Sequence, residues 1–215
     1  AGGAGVAGEA RGVSKDPRVT EPSSAGTVEA AFLLRDNLRQ RHSILAALLQ
    51  ACDAARREID IACPYFYPGR PLRRALVAAA QRGVRVRLLL QGRPDYRIAG
   101  LAASVLTREL LQGGVHLFEY TPAFLHAKVV RVDDHWATVG SSNLDPLSLL
   151  VNFEANVAVR DGEFVEQLRT ELDAAFAQSH EITAPPATRW GSLPRRFVSL
   201  VARLYLRLAG VRSAY

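Results

Sequence analysis

Between Phe124 and Val159, residue types able to do nucleophilic and acid–base work recur at short fixed intervals in an otherwise apolar stretch. His126, Lys128 and Asp133 stand as H-x-K-x4-D. Gly140, Ser141 and Asn143 follow as G-S-x-N, and Glu154 comes next on an alternating apolar segment. An imidazole changes charge near neutral pH and serves as nucleophile, acid or base. An ammonium two residues away adds a fixed positive charge that suits a phosphoryl oxygen. Ser141 and Asn143 can hydrogen-bond to anionic oxygen or orient a catalytic group. Glu154 is expected to accept a hydrogen bond from one ring nitrogen of His126, which fixes the tautomer and frees the other nitrogen to attack.

These residues need a frame. His126 to Val132 alternates, so His126, Lys128, Val130 and Val132 are predicted to share one face of a strand. Asp133, Asp134 and His135 make a polar break before a second strand at Trp136–Val139, which predicts a hairpin. The hairpin returns Ser141 and Asn143 to the end of the sheet that holds His126. An H-x-K pair alone is ordinarily an exposed hairpin face, and a lone Asp a turn residue. The specificity lies in the whole constellation.

Upstream, strands are predicted at Val28–Arg35, Glu58–Cys63, Val84–Gln91 and Val115–Tyr120. Helices alternate with them. Arg39–Arg57 carries Ile44, Leu45, Leu48, Leu49 and Cys52 at helical spacing. Pro71–Gly83 has Pro where a helix starts and Gly where it stops, and Leu101–Gln112 runs into Gly113-Gly114. Loops follow at Pro64–Arg70, which holds Tyr65, Phe66 and Tyr67, and at Gly92–Gly100, which holds Arg93, Asp95, Tyr96 and Arg97. The aromatic loop reads either as packing at a strand end or as a lip of the cleft. Downstream, Asp145 before Pro146 looks like a helix cap, Asn152–Arg160 like a strand, and Gly162–Ser179 like a helix with Phe164, Leu168, Leu172 and Phe176 in a stripe. Strand alternating with helix predicts an α/β layered sandwich around a mixed sheet.

The stretch HAKVVRVDDHWATVGSSNLDPLSLLVNFEANV resembles the His-Lys-Asp signature of the phospholipase D superfamily. More narrowly it resembles the second signature of bacterial cardiolipin synthases, the B type in particular, with similarity running from about Ala31 to Ser179. The resemblance implies that His126 attacks phosphorus or protonates the leaving group. It implies that Lys128 and Asn143 bind the phosphate oxygens, that Ser141 and Glu154 support His126, and that Asp133 is more structural than chemical. It implies no cofactor and no metal, and no metal-ligand cluster is visible in the sequence. Family members use two such signatures facing each other across a cleft. Here His42, His116, His135 and His180 all lack a Lys two residues on. The chain therefore reads as the second half of a two-signature enzyme, paired with a missing N-terminal half or with a second chain.

Composition fits one domain. The 215 residues are 48% hydrophobic with a net charge of +6, and the pI is about 9.8. That balance suits an anionic partner such as a phospholipid surface. Cys52 and Cys63 lack metal spacing and read as buried thiols of a reducing compartment. No apolar run is long enough to span a bilayer. The chain opens without Met and shows no signal-peptide pattern, as expected of a fragment whose missing start could carry targeting information.

Residues 1–27, rich in Gly, Ala and Ser, read as a flexible linker, and residues 28–180 as the catalytic domain. In 181–215, a Pro185-Pro186 hinge leads to Trp190 and a basic amphipathic segment. Phe197, Leu200, Val201, Leu204 and Leu208 fall on one helical face, flanked by Arg196, Arg203 and Arg207. This is the pattern of a helix lying in a membrane interface, with Trp190, Arg196, Phe197, Leu200, Arg203, Leu204 and Arg207 as contacts.

The resemblance implies, as the leading expectation, phosphatidyl transfer between phospholipids, with phosphatidylglycerol as substrate, at the cytoplasmic side of a bacterial inner membrane. The alternatives are a dimeric phosphodiesterase acting on nucleic acid, a partner the SSNLDPLSL match and the tail disfavour, and a non-catalytic half that only binds or assembles.

Overall fold

A computed structural model of the protein describes residues 28–92 and 100–184, with 100–105 as backbone only. The expected linker, the residues Arg93, Asp95, Tyr96 and Arg97, the Pro185-Pro186 hinge and the membrane-contact residues from Trp190 to Arg207 lie outside the described residues.

The elements run β1 (Glu29–Arg35), α1 (Ser43–Ala54), β2 (Glu58–Ala62), α2 (Arg70–Gln81), β3 (Arg85–Gln91), α3 (Gly100–Gln112) and β4 (His116–Tyr120). They continue with β5 (Val129–Val132), β6 (Trp136–Gly140), α4 (Pro146–Leu150), β7 (Glu154–Arg160), α5 (Gly162–Ala177) and β8 (Ser179–Glu181). One eight-stranded sheet has the order β1-β7-β6-β5-β2-β3-β4-β8. β2, β3 and β4 are parallel neighbours, and every other pairing is antiparallel. This is the mixed-sheet α/β sandwich expected.

Helix spacing sets the layers. Ile44, Leu48 and Cys52 repeat every fourth residue on α1, and Leu72, Leu76 and Ala79 line the buried side of α2. They pack with Leu110 of α3 on Ile59, Ile61, Val86, Leu88, Leu117, Val130 and Val132. The other sheet face meets α5, whose Leu172 and Phe176 pack on Ala62, Leu89, Leu125 and Val129. β5 is therefore covered on both sides, and all four of its residues are buried. Each such aliphatic side chain contributes about 1.5–3 kcal/mol on burial.

The α5 face also carries charge. Asp60 is fully buried and lies opposite Arg87 on β3 and Arg131 on β5. Arg87 Nε and Nη2 donate to its carboxylate at 2.7 and 2.9 Å, and Arg131 Nε donates at 3.1 Å. Arg131 Nη2 also reaches Glu58 at 2.8 Å, while Arg87 reaches Asp173 of α5 at 2.6 Å and lies 4.2 Å over the Phe176 ring. These arginines are neutralised within the fold, so the basic pI overstates the charge free to meet an anionic partner.

α5 packs on β4, β5, β6 and β8. Beyond it, Phe32, Val157 and Val139 stand opposite one another across β1, β7 and β6. They are 64%, 38% and 39% exposed and form an uncovered apolar row.

Several expectations are corrected. The strand predicted from His126 begins only at Val129, so His126 and Lys128 lie on the irregular segment leading into β5. α1 is shorter than 39–57. At its start the Asp36 carboxylate accepts the amides of Leu38, Arg39 and Gln40 and holds a turn. The strand expected from Asn152, β7, begins at Glu154; Arg35 donates to the carbonyls of Leu150 and Asn152 and shapes the preceding turn. Ser179 leaves the final helix to start β8, which pairs with β4.

Candidate active site

The chemistry-bearing residues gather where β5 and β7 begin and β6 ends. The hairpin brings them there: Gly140 N donates to Lys128 O at 3.2 Å, and Ser141 N donates to Ala155 O at 3.0 Å. Lys128 Nζ lies 3.4 Å from each ring nitrogen of His126 and donates to the His126 carbonyl at 3.0 Å. Imidazole and ammonium thus share one opening, with His126 exposed and Lys128 half-buried. Phe124 stacks beside the imidazole at 6.4 Å between centroids.

Glu154 does not hold His126 in this structure. Its carboxylate accepts from Ser141 Oγ and, at 3.3 Å, from Asn152 Nδ2. Ser141 Oγ in turn accepts the Ala155 amide at 3.0 Å. The expected His126–Glu154 bond is replaced by a Ser141–Glu154 pair across the mouth of β6 and β7. The register explains the shift: strand pairing puts the Ser141 backbone beside Ala155, next to Glu154.

Asp133 sits at the far end of β5, in the β5–β6 turn, with φ 51°. Its buried carboxylate accepts the amides of Arg56, Arg57 and Glu58 at 3.0, 2.8 and 2.9 Å. It ties the α1–β2 connection to the hairpin and stands apart from His126.

Asn143 is half-buried in the β6–α4 loop, and that loop is held on both sides. Leu144 N donates to Cys63 Sγ at 3.3 Å, and Leu144 O accepts from Tyr67 N at 2.8 Å. Phe66 and Leu144 form a bridge. The aromatic loop left open between packing and lip thus packs Phe66 against the signature loop. Cys63, Lys128, Ser142 and Asn156 line a small cleft behind the opening. Burial pushes the Cys63 thiol up to about 11, so it lies there as a neutral group. Asp145 caps α4 by accepting from Ser148 N at 2.9 Å. Burial raises its pKa, and Glu154 adds a smaller push. Sequence reasoning missed Arg35, Cys63 and Asn156. The buried Asn between apolar neighbours in NFEANV was the one available signal.

The sequence profile described as "Cardiolipin synthase, PLD-like domain" matches residues 48–176. The chain belongs to this phospholipase D-like family. It is 43% identical over 193 residues to cardiolipin synthase B of Escherichia coli K12, covering 88% of this chain and 46% of that relative. The chain spans about half the length of the curated relatives it matches. Among solved structures, Nuc of Salmonella typhimurium, a phospholipase D family member, aligns with a TM-score of 0.63 at 21% identity. That match covers 73% of this chain and 99% of Nuc. Phosphatidylserine synthase of Haemophilus influenzae aligns at 0.64 and 15% identity, over 85% of this chain and 46% of that one. At such identities the structural matches speak for the phospholipase D fold alone.

Proposed function

We propose that this chain is one signature-bearing half of an enzyme that transfers a phosphatidyl group between phospholipids. Two phosphatidylglycerols would give cardiolipin and glycerol. The observation that carries the reading is the His126–Lys128 pair opening beside Ser141, Asn143 and Glu154, in a chain 43% identical to a cardiolipin synthase B.

In this reading an imidazole nitrogen attacks the lipid phosphorus, a P–N bond forms, and the P–O bond to glycerol breaks. The leaving oxygen takes a proton from the histidine of a second signature. The hydroxyl of the acceptor lipid then attacks the phosphohistidine, gives its proton back to that second histidine, and breaks the P–N bond. His126 fills one of the two roles. Lys128 and Asn143 hold the negative phosphoryl oxygens. Glu154, through Ser141, orders the mouth of the site.

The second half is supplied by the same longer protein or by another chain. The exposed Phe32–Val157–Val139 row, on the α5 side of the sheet, supports pairing with a protein neighbour, since an apolar patch of this kind suits one. The chain alone is expected to be inactive, because one histidine cannot be bonded to phosphorus and also protonate the leaving alcohol in the same step. Lipid-product analysis of the chain alone, and mixed with an N-terminal signature half, checks this. Robust phosphatidyl transfer by the chain as a monomer would overturn it. Cleavage of nucleic-acid phosphodiesters without lipid product would replace the lipid reading.

No helix among the described residues is long and apolar enough to cross a membrane. We infer peripheral attachment at the cytoplasmic face of the inner membrane through the 190–208 segment. Its apolar stripe supplies insertion, and each Arg adds about 1 kcal/mol on an anionic surface. Sedimentation with anionic and neutral liposomes, at low and high salt, is expected to show loss of binding when the chain is cut after Thr188. Equal binding by the cut and uncut proteins sinks the anchor.

A further inference from the structure

Asn156 is a buried polar side chain at the site to which the proposed chemistry gives no task. Asn156 is 5% exposed and lies on β7 two residues beyond Glu154, on the same sheet face. Its Nδ2 donates to Thr138 Oγ1 at 3.2 Å, and its Oδ1 accepts the Ser142 amide at 3.3 Å. Gly140 makes the approach possible, because a Cβ there would lie 2.2 Å from Asn156 Oδ1 and 2.4 Å from the Ala155 carbonyl. Leu has the same branched heavy-atom skeleton without an amide to desolvate, so filling the space does not by itself favour Asn here. What the carboxamide adds is a grip on one backbone amide of the G-S-x-N loop. Cys63 and Tyr67 grip the same loop on its far side through Leu144. Asn143 is therefore suspended between two tethered neighbours.

We propose that Asn156 is a positioning residue: its carboxamide, through Ser142 N, fixes the loop that presents Ser141 and Asn143 to the phosphoryl group. The inference rests on the phosphoryl-binding reading of that loop given above. A displacement of about 1 Å at such a group costs roughly a hundredfold in rate.

The test uses the active assembly and compares Asn156→Leu, Asn156→Asp and Asn143→Ala. Asn156→Leu is expected to lower kcat roughly 10- to 100-fold per folded molecule while KM stays within about twofold. Asn156→Asp keeps an oxygen for Ser142 N and lets the Thr138 hydroxyl turn to donate to the other oxygen, so it is expected to recover most of kcat. A folded Asn156→Leu enzyme with normal kcat overturns the proposal, as does Asn156→Asp being as slow as Asn156→Leu. Should Asn156→Leu not fold, Thr138→Val removes the second partner of the same carboxamide at unchanged volume. Its kcat is expected to fall roughly three- to tenfold at constant KM, and a normal kcat there overturns the proposal equally. Asn143→Ala separates the two levels. If it transfers normally, the phosphoryl reading of the loop fails. If it is slow while Asn156→Leu is normal, only the positioning role fails.

Discussion

In the active assembly, His126→Ala is expected to lower phosphatidyl transfer by at least about three orders of magnitude, with unfolding free energy changed by no more than roughly 0.5 kcal/mol. The asymmetry follows from where the ring sits. His126 is exposed, beside the Lys128 ammonium and the Phe124 ring. Truncation opens no core cavity and leaves no buried donor, so stability has little to lose. On the proposed mechanism, the reaction loses either the atom that bonds to phosphorus or the proton that makes glycerol a leaving group. Lys128→Ala is expected to fall by about two to three orders of magnitude, as for loss of one positioned donor to a developing anion. Parallel measurement of lipid product and urea unfolding decides both. A His126→Ala enzyme that retains transfer would remove His126 from the mechanism.

Asp133→Ala is expected to do the reverse: to cost about 3–5 kcal/mol of stability while leaving kcat per folded molecule unchanged. Its carboxylate is 5% exposed and accepts three consecutive backbone amides, so removal strands three donors at the α1–β2 connection. The four residues of β5 separate it from Lys128, a span of roughly 13–16 Å, too far to touch a phosphate held there. Asp133→Asn keeps one acceptor oxygen and is expected to lose less. Urea midpoints and rates normalised to folded protein provide the check. A stable Asp133→Ala enzyme with no turnover would give Asp133 a chemical part after all.

Much of this arrangement was legible because the sequence repeats its instructions. Pro71 and Gly83 bracket α2, and the Gly83 φ of 90° shows why the helix stops where it does. The polar Asp133-Asp134-His135 break turns the hairpin, and Asp145 caps α4 as its place before Pro146 implied. What could not be read depends on partners distant in the chain. Alternation through His126 suggested a strand, but the pairing partner of β5 on its β2 side runs out at Ala62, so Lys128 and His126 leave the ladder. The alternating Arg85 and Arg87 of β3 show no partner in their own stretch; Glu58 and Asp60 of β2 and Asp173 of α5, two elements distant in the chain, absorb their charge. Chemistry alone points Glu154 at His126, whereas backbone register hands it to Ser141. Cys63 and Asn156 carry no motif at all, and their contacts with the G-S-x-N loop arise only when β2, β7 and that loop meet.

The uncovered row of Phe32, Val157 and Val139 has a practical side. It runs out to β1, the last strand of the sheet among the described residues, whose outer backbone edge pairs with no other described strand. Apolar side chains beside an unpaired strand edge form a template on which another molecule can add its own strand. Where nothing covers this corner, raising the concentration of the isolated chain is expected to favour aggregates that grow by edge-to-edge stacking, which light scattering would show. Charged substitution of Phe32, or co-expression with the half that covers the row, is the corresponding remedy for anyone purifying it.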